Sequence, residues 1–293
     1  MELDITLDVN VARLAHIEWE NKLEKMVNDG ATFPELKGHD NCALGAWIYA
    51  RGLRKYGDLP ETIALKNAHH HFHEIADKIL DFQANSPHEN AQPLLIKLRQ
   101  FSNKIIVLLT SLELSIARKK NHHAGSWKKL HHFLGQSETM QPFPMYLRDQ
   151  ALPWYAFRKK RVAHLASMFD INAARLNHLL WTQNLQTRFA KFRKGEHVQG
   201  ADDCDLGIWI HTLGKKAFGN SENFNILEET HAAFHDLAAK IERALRRQDA
   251  KYAEVAYQQL NSASTTIIVQ LTRLELQMQD AKMSAERMQS IQI

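Results

Sequence analysis

The chain has 293 residues, 44% hydrophobic and 24% charged, with a formal net charge of +4. That balance excludes a disordered or collagen-like chain, and so weak a basic excess makes no case for nucleic acid. Glycine (12) and proline (7) are scarce, which disfavours turn-rich sandwiches and barrels, whereas histidine, at 17, is abundant.

The acidic start, "MELDITLDVN", lacks the basic-then-apolar pattern of a secretion signal. A first helix is expected over about 10 to 28, with His16, Trp19, Leu23, Met26 and Val27 on one face and Gly30 as its stop. A short second helix is expected over about 41 to 56, opened by "HDNC" with Asp40 or Asn41 as N-cap. The third, about 60 to 84, has Pro60 in its first turn and an apolar stripe of Leu65, Phe72, Ala76 and Ile79. The fourth, about 87 to 118, opens on the capping box "SPHE" at 86 to 89; its stripe runs Leu94, Leu98, Phe101, Ile105, Leu109, Leu112, Ile116. Apolar runs such as "IIVLL" at 105 to 109 fall far short of a membrane span. Two distant cysteines, Cys42 and Cys204, do not make a disulfide framework, so a reducing, cytoplasmic setting is expected.

Beyond the connector the pattern starts again. Residues 10–118 match 172–280 at a constant offset of 162 without a gap: "GHDNCALGAWI" against "GADDCDLGIWI", "HHHFHEIADKI" against "HAAFHDLAAKI". The expected architecture is all-α: two tandem four-helix bundles, 1–118 and 172–293, joined by a partly helical connector at 119–171. The connector is basic and histidine-rich, then rich in proline and aromatics; its "RKK" runs (118–120, 158–160) read as solvated charge.

The repeat selects among the histidines. His16 pairs with His178, Cys42 with Cys204, His69 with His231 and His73 with His235, whereas His70 and His71 pair with Ala232 and Ala233. Three imidazoles and a thiolate suit a tetrahedral zinc site, although nickel and cobalt accept the same ligand types. Histidines at i and i+4 share one helix face, and a cysteine in the first turn of a helix has its thiolate favoured by the dipole. Four ligands leave no position for a substrate water. The His-x-x-x-His pair lacks the glutamate of a metalloprotease, since its second position is His70 or Ala232, and no repeated Glu-x-x-His set supports a di-iron bundle. An enzyme is therefore not expected. Trp19/Trp181, Trp47/Trp209 and Phe72/Phe234 read as core. Gly45 and Gly207 read as points of close helix approach.

The blocks "AHIEW", "CALGAW" and "HHHFH", and "NHLLW", "CDLGIW" and "HAAFH" in the second copy, resemble the chemoreceptor zinc-binding domain of bacterial signalling proteins. The resemblance implies a helical bundle holding one zinc per unit through the three histidines and the cysteine. It also implies a regulatory role, sensing zinc or oxidants such as hypochlorous acid for chemoreceptors or diguanylate cyclases, often as a homodimer. Here two copies stand in one chain, without a "GGDEF"-like motif or a long heptad hairpin. An intramolecular pseudo-dimer and a separate protein partner, in a chemotaxis or cyclic-di-GMP pathway, are the corresponding expectations. Zinc used only as a structural staple or store is the alternative.

Overall fold

The structure is a computed structural model that describes residues 3–30, 38–85, 90–122, 171–189 and 198–291. It is all-α, with no strand among the described residues, and the chain divides into two compact units between Lys120 and Asn121. The first holds α1 (Leu3–Asp29), α2 (Ala43–Trp47), α3 (Leu53–Tyr56), α4 (Pro60–Asn85) and α5 (Gln92–His122). The second holds α6 (Ile171–Phe189), α7 (Asp205–Trp209), α8 (Lys215–Phe218), α9 (Glu222–Arg246) and α10 (Ala250–Ile291). No described helix is long and apolar enough to cross a membrane. The predicted capping box at 86–89 and residues 123–170 of the predicted connector lie outside the described residues.

The periodic stripes form the cores. In the first unit Leu23, Leu65, Phe72, Ile79, Leu98, Ile105, Leu109 and Leu112 are buried together, with Trp19, Trp47, Leu94 and Phe101 half-buried at the margin. Phe224, Leu227, Phe234, Ile267, Leu271 and Leu274 do the same in the second. Removing such side chains from water is the main force for bundle closure.

Helix ends follow local chemistry, with three departures from expectation. α1 starts at Leu3, well before residue 10, because "LDITLDV" contains no helix breaker. Its end is the predicted one: Gly30 adopts φ +67°, and its N–H reaches Met26 O at 3.1 Å. α5 opens at Gln92, where Asn90 Oδ1 accepts from Gln92 N at 2.9 Å and Pro93 occupies the first turn. The expected second helix is present over 43–56 but not α throughout: α2 passes through a π turn, Ile48–Gly52, into α3. The same π turn recurs at Ile210–Gly214. Such wide turns need a packing reason. Here the Trp47 ring lies over the bare Cα of Gly52, and a Cβ there would come within 3.1 Å of it.

Each unit also buries an ion pair between its first and last helix. Arg13 on α1, with side-chain exposure of 0%, pairs with Glu113 on α5. At the offset of 162, Arg175 Nη1 meets Glu275 Oε2 at 2.6 Å and also donates to Thr272 Oγ1 at 3.2 Å. Removing one member of a buried pair is far more damaging than removing both. Glu113→Ala should lower unfolding free energy by about 3 kcal/mol, and Arg13→Met/Glu113→Leu should recover most of that loss in urea denaturation. Glu275, at 17% exposure, should cost less when truncated.

Candidate metal centres

Within each unit, three separate pieces of chain bring metal-capable side chains inside the bundle. His16 comes from the middle of α1, Cys42 from the residue before α2, and His69 and His73 from successive turns of α4. His16, His69 and His73 are buried, and their donor atoms lie within 4.8 Å of one another. Cys42 Sγ stands 3.1 Å from His69 Nε2.

The second unit gathers its residues slightly differently. Here the group within 4.8 Å is Cys204, His231 and His235, with Cys204 Sγ 3.1 Å from His231 Nε2. His178 is buried against the Phe234 ring, centroids 4.4 Å apart, outside that triad. Its Nε2 is buried without a hydrogen-bond partner. A buried ring nitrogen left in this way costs free energy unless something coordinates it. That orphan fits a cation acceptor among these donors.

The cysteine position differs from the sequence expectation in an informative way. Cys42, not Asp40 or Asn41, is the N-cap of α2: its φ and ψ are −72° and 163°, and its Sγ accepts from Gly45 N at 3.3 Å. Cys204 caps α7 in the same manner, accepting from Gly207 N at 3.2 Å. A backbone N–H directed at sulfur favours the thiolate, the form that binds metal. The recurring glycines serve this turn. A Cβ on Gly45 would stand 1.9 Å from His39 O, and one on Gly207 would stand 1.7 Å from Ala201 O. The closest approach is therefore that of the preceding loop, and at Gly207 the neighbouring helix comes next, with His231 Cε1 at 3.1 Å.

Ring orientation is set from behind. His16 Nδ1 donates to Ala12 O at 3.0 Å, and His235 Nδ1 donates to Gln199 O at 2.7 Å. Each bond leaves Nε2 as the lone-pair nitrogen, as in histidines that ligate metals. Burial, first of all, holds these imidazoles neutral. His16 and His73 titrate at about 4 and His69 at about 2, with neighbouring imidazoles adding to the effect for His69 and His73. His178 and His231 are lowered by burial to about 3, and His235 is lowered as well. Neutral nitrogens and a thiolate are the protonation states a soft divalent cation requires.

His70 and His71, by contrast, point outward. Two features escaped the sequence reading. The Gln199 carbonyl gives no side-chain signal. The Arg13–Glu113 and Arg175–Glu275 pairs did give one, since both residues recur at the offset of 162 inside the matching blocks.

The family model of the chemoreceptor zinc-binding domain matches residues 16–80 and 178–242. The chain carries two tandem copies of this domain. Each match begins at the α1 or α6 histidine and takes in the cysteine and both histidines of α4 or α9. No curated protein and no solved structure matches the chain.

The tight loop before each cysteine makes a direct check available. Gly207→Ala should push the 198–204 loop off α7 and destabilise the second unit by about 1–3 kcal/mol. Thermal unfolding followed by circular dichroism should show the loss, and Gly30→Ala, with open space around its Cβ but a positive φ, should cost less.

Proposed function

We propose that the protein is a non-enzymatic sensor holding one zinc ion in each copy, at 1–118 and 172–293, with 119–171 as connector. The ligands are His16, Cys42, His69 and His73 in the first and His178, Cys204, His231 and His235 in the second. The observation that carries this reading is the duplicated 3.1 Å contact between an N-capping thiol and a buried imidazole. Three helical segments meet at that point in both units, beside further buried histidines. A zinc ion bound there supplies a strong cross-link between those segments and a thiolate open to oxidants.

The chain's own residues account for the signal. Cys42 and Cys204 are half-buried rather than sealed in the core, which suits access by a small oxidant. A thiolate attacked by hypochlorous acid becomes a sulfenic acid, with chloride leaving, and one ligand is lost. α1 is then held to α4 by packing without the ligand bond, through Leu23 in the shared core and the His16 ring 5.1 Å from that of Phe72. A partner protein, in chemotaxis or cyclic-di-GMP signalling, reads the loosened helix.

Elemental analysis of the purified chain should find two zinc ions, falling to one in Cys42→Ala and to one in Cys204→Ala. Loss of both ions in either variant would count against independent sites. Hypochlorite at one equivalent per thiol should release zinc and speed amide exchange in α1 and α6. If zinc stays and exchange is unchanged, the ion is a structural staple rather than a sensing element.

A further inference from the structure

The first unit carries a second group of metal-ligating side chains, on the outer face of α4. His70 and Glu74 stand at i and i+4, each 46% exposed, with His70 Nε2 3.5 Å from Glu74 Oε1. His39, from the loop that leads to Cys42, lies edge-on to His70, ring centroids 4.5 Å apart. His71 Nδ1 is 2.7 Å from the other carboxylate oxygen, Glu74 Oε2. Donation from His71 thus fixes one oxygen of Glu74 and leaves Oε1 on the His70 side.

The separation of His70 Nε2 from Glu74 Oε1 suits a shared ion, and His39 packs beside that pair. With metal–ligand bonds of about 2.0–2.1 Å and tetrahedral angles, neighbouring donor atoms stand about 3.3 Å apart. Helix packing does not call for these residues. α9 folds as α4 does, with Ala232 and Ala233 in place of His70 and His71, and the loop before Cys204 has Ala201 in place of His39. A surface ion pair to Glu74 would need one histidine, whereas two reach its carboxylate and a third packs on one of them.

We propose that His39, His70 and Glu74 form an exposed site for a divalent transition metal, with His71 as the positioning residue for the carboxylate. Imidazole and carboxylate donors suit zinc, nickel or copper. The set closes by turning the His39 ring, and water completes the coordination, so the ion exchanges readily. It lies about 100° round α4 from His69 and His73, on the exposed side of the helix. The loop carrying both His39 and Cys42 is bridged to α4 when it is filled. The second unit lacks the site, which makes the two copies inequivalent toward metal.

The test uses the full chain, loaded with zinc and desalted, then titrated with zinc chloride in a calorimeter. One further, exchangeable equivalent is expected. His39→Ala/His70→Ala should abolish it without changing the tightly held zinc or the circular dichroism spectrum, and His71→Ala should weaken it about tenfold. The site does not rest on the buried centres: Cys204→Ala should lower the tightly held zinc and leave the outer equivalent in place, so failure of one reading is distinguishable from failure of the other. Absence of the further equivalent in the unaltered chain, or the same uptake by the double variant, would overturn the proposal.

Discussion

Every other feature of these units is arranged around the cost of placing three imidazoles and a thiol inside an apolar bundle. Such groups are tolerated only when each nitrogen and sulfur finds a partner. The Ala12 and Gln199 carbonyls take up two of the ring N–H groups, and the Gly45 and Gly207 amides donate to the sulfurs. The lone pairs that remain converge. Burial strips the charge from the imidazoles, so what converges is a set of neutral acceptors beside a sulfur whose anionic form the turn favours. A soft cation is the natural complement, and the chemoreceptor zinc-binding domain found at both positions agrees with it.

The short second segment does most of the positioning with very few residues. A cysteine that is at once a candidate ligand and an N-cap has little freedom, because the loop behind it presses on a glycine with a carbonyl under 2 Å from where a Cβ would sit. Beyond it the π turn widens the helix where the tryptophan ring covers the next glycine. The sulfur's position is therefore fixed from both sides by backbone, while the histidines are fixed by their own helices. Such a ligand is the one most exposed to change, being held in a turn and half-open to solvent.

Much of this was legible in the chain. Periodicity gave the stripes that became the cores, and the offset of 162 alone separates His69 and His73 from His70 and His71. The structure then put the first pair inside and the second pair outside. The π turn within the second helix was not legible, because it depends on how Trp47 packs on Gly52 and not on any local propensity. Nor was the cap: Asp40 and Asn41 have the better intrinsic preference, and Cys42 displaces them through tertiary position. The difference between units, with His16 inside one close triad and His178 outside the other, has no trace in the ligand spacing, which is identical. It comes from the packing of the surrounding rings.

The buried arginine and glutamate of each unit lie 100 residues apart in sequence. Closure over so long a separation is slow and unrewarded until the last helix exists. On the ribosome, the arginine of α1 must therefore stay unpaired until α5 has emerged, and that of α6 until α10 has. In each copy the first helix is thus locked by its ion pair only when the last helix is complete.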